Sequence, residues 1–265
     1  MAIVDVHSHL PVLGDETAFR LLNEAHDKGL SEIVINSVDQ LSYEDAKAFK
    51  KRYESQNPGR VKVKLALGFY PLSGLKQDVD DGAIEKADLN WNEMPELILK
   101  EKDNIVAVGE IGLDFKAVTK ENAGEDIECF RAMLFAAQEA GKPVIIHSRK
   151  AENEVVDIIS EYNVTAVLHC FSGKLSVAKK ALENPHVYFS IPLIIGHSEH
   201  FQHIARIVPL NRLLTETDSP FLPIKGKEIS EPADIRYTVE KIAQIKGMSN
   251  EEMENTLLAN YKRVF

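Results

Sequence analysis

Short apolar, β-branched runs alternate with longer stretches of helical periodicity along nearly the whole chain. The runs beginning at residue 3 and covering 32–36, 61–67, 106–109, 143–146, 164–168, 186–191 and 212–217 read as strands, because they are short, rich in Val, Ile and Leu, and bounded by turn residues. Between them, 16–28, 42–56, 94–102, 121–140, 151–162, 175–183, 200–207, 233–246 and 250–261 read as helices. The first has a Gly29 stop and the second ends at Asn57-Pro58-Gly59. A loop-rich stretch follows Gly68-Phe69-Tyr70-Pro71. About eight strands alternating with helices predict an α/β fold, a TIM-type (β/α)8 barrel. A doubly wound open sheet is the alternative, but it would gather ligands at one switch point rather than from many strands.

The strand ends carry the candidate chemistry. The first run ends in His7-Ser8-His9, whose imidazoles fall on one side of an extended chain. Later runs lead into Glu110, His147, His169 and Asp218. A barrel delivers such residues to its C-terminal face, where neutral imidazole and carboxylate suit zinc, manganese and related ions. An isolated His-x-His is as readily a packing pair. The repetition of the feature at several strand ends favours a metal site.

Composition is consistent with this and narrows the class. At 265 residues, 44% hydrophobic and 27% charged, the chain suits one globular β/α-barrel domain over 1–265, with no apolar stretch long enough to cross a bilayer. The start lacks the basic n-region of a secretory signal, and Cys129 and Cys170 form neither a disulfide framework nor a CxxC motif. A cytoplasmic protein is expected. The net charge of −10 argues against a protein that coats nucleic acid, but a nuclease is compatible with it because cations neutralise phosphate locally.

Assembled as a site, His7, His9 and Glu110 would hold one cation, and Glu110, His147 and His169 a second, with the Glu110 carboxylate bridging. Asp218 would face the first metal and the water it activates, as ligand or general base.

The segments Asp5-Val6-His7-Ser8-His9-Leu10, Gly109-Glu110-Ile111-Gly112-Leu113-Asp114, His147-Ser148-Arg149, His169-Cys170-Phe171-Ser172-Gly173 and Glu216-Thr217-Asp218-Ser219-Pro220-Phe221-Leu222 together resemble the TatD family of metal-dependent deoxyribonucleases, within the amidohydrolase superfamily. The likeness runs in order from residue 3 to about 264. It implies a β/α barrel, one to three divalent ions (two, of Mg, Mn or Zn, being expected here), phosphodiester hydrolysis commonly from the 3′ end of DNA, and the roles given above to His7, His9, Glu110, His147, His169 and Asp218. Single-stranded DNA or a 3′ end is the implied substrate, with neither a membrane nor an obligate protein partner. The alternative is an amidohydrolase-type enzyme acting on a small amide, ester or phosphoester.

This chain departs from the family pattern at Tyr70, where many members have histidine before proline, and at Pro11, where many have aspartate. Ile229-Ser230 replaces the usual Arg-Asn ahead of Glu231-Pro232, leaving Lys225 and Lys227 as nearby cations. Tyr70 can donate a hydrogen bond to phosphate but cannot take a proton as imidazole can. Arg149 and Lys174 are the expected phosphate contacts, with an ion pair to Glu152 or Glu154 competing for Arg149. Ser172 either offers its backbone to a phosphate or caps the next helix. Glu216 either touches the metal water or a third metal, or it faces the barrel layer or pairs with a lysine. Phe115, Phe171, Phe221 and Trp91 are candidates for base stacking. His26, His186, His197, His200 and His203 read as structural.

Overall fold

A computed structural model describes residues 2–82, 84 and 86–265. Met1, which opens the first apolar run, lies outside them. Among the described residues, eight strands alternate with helices in chain order: β1 (Ile3–Ser8), α1 (Asp15–Asp27), β2 (Leu30–Asn36), α2 (Gln40–Gln56), β3 (Lys62–Ala66), α3 (Leu72–Asp80), α4 (Met94–Glu101), β4 (Val108–Gly112), α5 (Gly124–Ala140), β5 (Val144–His147), α6 (Glu152–Ile159), β6 (Ala166–Leu168), α7 (Leu175–Glu183), β7 (Val187–Ile191), α8 (Glu199–Ile207) and β8 (Leu213–Thr215). Two further helices, α9 (Ile235–Lys246) and α10 (Asn250–Val264), close the chain.

Strands pair in sequence order, β1-β2-β3 and β4-β5-β6-β7-β8. Single parallel bridges continue the order, Ala66 to Ala107 ahead of β4 and Ser8 to Ser219 just past β8. This is the (β/α)8 fold expected. Most strand residues are buried, as in β1, where all six are, so their near-continuous apolar runs follow from helices covering the sheet.

The chain divides into two compact units. One comprises Met1–Ile35, Ala46–Lys64 and Phe189–Val264. Its core includes Leu21, Leu22 and Ala25 of α1 and an aromatic group in which Phe19 lies 5.3 Å from Phe49 and 5.2 Å from Tyr53. The other is built mainly from Asn36–Asp45 and Leu65–Tyr188, with Phe130, Met133 and Leu134 of α5 and Ile145 and Ile146 of β5 fully buried. Among the described residues, no helix is long and apolar enough to cross a membrane.

Several ends shift by a few residues, as in β8, which is shorter than the expected 212–217, and two elements differ more. The stretch after Pro71 contains α3, held at its start by Asp126, which accepts the Ser73 N–H at 2.9 Å and its hydroxyl at 2.7 Å. β4 continues through Glu110 to Gly112 instead of ending at Gly109. Its glycines look like turn residues but serve close packing: a Cβ on Gly112, whose φ is +145°, would lie 1.9 Å from the His147 carbonyl oxygen.

Candidate metal centre

In the first unit, backbone pairing brings the His7-x-His9 segment against Asp218. The His9 N–H donates to the Ser219 carbonyl at 2.7 Å, and the Asp218 N–H to the His7 carbonyl at 3.0 Å. Asp5, fully buried, accepts the Thr217 hydroxyl at 2.5 Å, the Thr217 N–H at 3.0 Å and the His7 N–H at 3.2 Å, which ties β1 to the segment after β8. Burial pushes the Asp5 carboxyl up to about 7 against the pull of those donors. His9 has left the strand (φ −117°, ψ 29°), yet its Nε2 lies 3.0 Å from His7 Nε2. Asp218 Oδ1 is 3.6 Å from His7 Nε2 and 3.7 Å from His9 Nε2. Asp218 takes a left-handed backbone, φ +56°, uncommon for a non-glycine residue and characteristic of functional sites. Two imidazole nitrogens and a carboxylate oxygen at these separations can share one cation at ordinary ligand distances of roughly 2.0–2.2 Å.

A second donor set belongs to the other unit. Glu110 sits on β4 with its N–H bonded to the Ser37 carbonyl at 2.9 Å, His147 ends β5, and His169 directly follows β6. One ligand atom from each of Glu110, His147 and His169 falls within 4.8 Å of the others. Glu110 Oε1 is 3.1 Å from His147 Nδ1 and 3.9 Å from His169 Nε2. Gly68 permits this approach, since a Cβ there would lie 2.5 Å from the Gly109 carbonyl carbon. The other His147 nitrogen, Nε2, meets Asp114 Oδ2 at 3.0 Å and the Tyr70 hydroxyl at 3.4 Å. Burial works against charge on His147, but the two carboxylates outweigh it and raise its pKa. Burial likewise works against charge on Asp114, and is overcome chiefly by the His147 hydrogen bond, so its carboxyl is held below the usual range. Tyr70 is pushed well up by burial and by Glu110 and Asp114, which makes it a phenol donor.

The remaining candidates separate by environment. Arg149 is exposed, and its positive field reaches Tyr70, Asp78 and Asp114. The competing partners are engaged elsewhere: Glu154 with Lys120 at 2.6 Å, and Glu152 with the Ser172 hydroxyl at 2.9 Å. Lys174, not Ser172, occupies the N-cap position of α7, and its side chain is exposed. Glu216 is fully buried and accepts the Ser190 hydroxyl. Lys227 is bound to Glu231 at 2.8 Å and Asp234 at 2.8 Å. Phe171 is core, whereas Phe221 is 52% exposed with its ring 5.8 Å from that of His9. Sequence reasoning passed over Asp114 and Asp5. Both are acids inside motif segments, and that was the available signal.

Imidazoles and carboxylates at the strand ends of a β/α barrel are the arrangement that a metal-dependent hydrolase uses. The model of the TatD related DNase family matches residues 4–265, and the chain belongs to that family. It is 30% identical over 270 residues to human deoxyribonuclease TATDN3, covering 100% of this chain and 95% of that one. Identity to the Bacillus subtilis metal-dependent hydrolase YabD is 30% over 273 residues, covering 99% and 98%. The structure of the Escherichia coli TatD homolog YJJV superposes with a TM-score of 0.81 over 99% of this chain and 97% of that chain; at 23% identity the likeness carries the fold.

Proposed function

We propose that this hydrolase cleaves phosphodiester bonds of DNA, removing nucleotides from the 3′ end of a single strand. The observation that carries the reading is the pair of donor sets, His7, His9 and Asp218 in one unit and Glu110, His147 and His169 in the other. The whole-chain relationship to a deoxyribonuclease supports the substrate class. Each set would hold one divalent ion, Mg, Mn or Zn. When bound, such ions supply Lewis-acid polarisation of the phosphoryl group and lower the pKa of water.

The protein's own groups do the rest. Asp218 accepts the proton of the attacking water. Glu110 adds negative charge beside two imidazoles, which raises the affinity of that set for a cation. Arg149 holds a phosphate oxygen pair through its planar guanidinium, and Lys174 supplies a second positive charge at the start of α7. Tyr70, kept neutral, donates its hydroxyl to a phosphate oxygen. Glu216, held by Ser190, orders the segment leading to Asp218.

The test is incubation of metal-stripped protein with end-labelled single-stranded DNA, with and without added Mg2+ or Mn2+. The reading expects a ladder of products shortened stepwise from the 3′ end only when metal is present. Intact DNA beside rapid turnover of a simple ester would transfer the activity to small substrates.

A further inference from the structure

We propose that Asp114 is a positioning residue for His147: by accepting the Nε2–H it fixes the imidazole tautomer and ring plane so that the Nδ1 lone pair points to the Glu110 and His169 side. This deepens the reading above and rests on the assignment of Glu110, His147 and His169 to a cation.

The two nitrogens of His147 face different surroundings. Nδ1 looks onto Glu110 Oε1 at 3.1 Å, with His169 Nε2 3.9 Å from that same oxygen, so three ligand atoms gather on this side. Nε2 looks onto Asp114 Oδ2 at 3.0 Å and a neutral phenol at 3.4 Å. A neutral imidazole offers one N–H and one lone pair, so the two carboxylates cannot both receive a proton from it. A cation on the Nδ1 side removes the conflict, because it binds the lone pair and the Glu110 carboxylate together. Among the described residues no donor set of three gathers on the Nε2 side, and Asp114 Oδ1 is already taken by the Lys116 N–H at 2.8 Å.

Asp114 is held tightly enough to impose this choice. It is 3% exposed, and the backbone on both sides is pinned to the His147 segment. The Leu113 N–H donates to the His147 carbonyl at 3.2 Å, and the Phe115 N–H to the Arg149 carbonyl at 2.9 Å. The Tyr70 ring packs edge-on against His147 at 4.8 Å and limits its rotation. Histidines that bind metals usually donate their other N–H to such a carboxylate, and loss of the partner costs roughly 10–100-fold in metal affinity.

Asp114→Asn tests the assignment at nearly constant shape. Its amide oxygen can keep the Lys116 N–H, which turns the amide N–H2 toward His147 Nε2 and favours the opposite tautomer. Side-chain 15N NMR of the metal-free protein, at a pH where the ring is neutral and with the resonance assigned by its loss in His147→Ala, reads the tautomer without any activity. Protonated Nε2 in the wild type, protonated Nδ1 in Asp114→Asn, and Mn2+ binding weakened by about 10-fold or more with an unchanged melting temperature is the expected result. An unchanged tautomer, or unchanged Mn2+ affinity in the variant, overturns the proposal. Failure of the wild type to bind Mn2+ through His147 would instead remove the assignment beneath it, and the NMR result tells the two failures apart.

Discussion

The two donor sets are built from the same residue types but held in different ways. His7, His9 and Asp218 are placed largely by backbone hydrogen bonds, with Asp5 clamping β1 to the segment that carries Asp218. His147, by contrast, is oriented by side chains, Asp114 on one nitrogen and Glu110 on the other. The difference implies that changes to the first set reach the pairing of the strands, whereas changes at His147 should be felt first in metal binding. Variants should therefore split stability from metal binding differently in the two units.

The largest effect is expected from His147→Ala. Loss of a ligand should lower turnover about a thousandfold or more, corresponding to roughly 4 kcal/mol of transition-state stabilisation. The melting temperature of the metal-free protein should change little; a fully active variant would remove His147 from the site. Next comes Asp218→Asn, which keeps an oxygen donor but not a base. Steady-state assays should show kcat reduced by about 10²–10⁴-fold with metal retained, and wild-type turnover would deny it the proton. Thr217→Val breaks the hydrogen bond to buried Asp5 and should cost about 1–3 kcal/mol in denaturant unfolding of the metal-free protein. If it leaves stability intact but abolishes metal binding, the contrast between backbone-held and side-chain-held sets fails. The smallest change is expected for Arg149→Ala, a KM raised roughly tenfold at near-constant kcat, consistent with about 1.4 kcal/mol of lost phosphate contact. An unchanged KM would return Arg149 to an ordinary surface role.

Much of this architecture was legible before the structure because parallel strands buried on both faces write themselves as unbroken apolar runs, and the ligands sit where those runs stop. Helix α3 was not legible. Gly74 weakens its intrinsic propensity, and the contacts that secure it, Asp126 on Ser73 and the Tyr70 ring against Gly74, come from packing. β4 runs on past the apolar stretch 106–109 for a related reason, since Gly109 and Gly112 carry no side chain to mark a strand face and instead allow backbones to approach. Asp114 was overlooked because its partner lies 33 residues along the chain. Nothing in local spacing states which of the two nitrogens of a histidine a carboxylate will face. The role of Ser172 was open between a cap and a phosphate contact, and its pairing with Glu152 depends on the placing of α6 beside α7.

The account is tested most directly by counting manganese bound to metal-stripped protein after equilibrium dialysis, for the wild type, His9→Ala and His147→Ala. Two ions per chain in the wild type and one in each variant is the predicted result. A wild type that binds none, or variants that both retain the full complement, would contradict the claim that the two sets are cation sites.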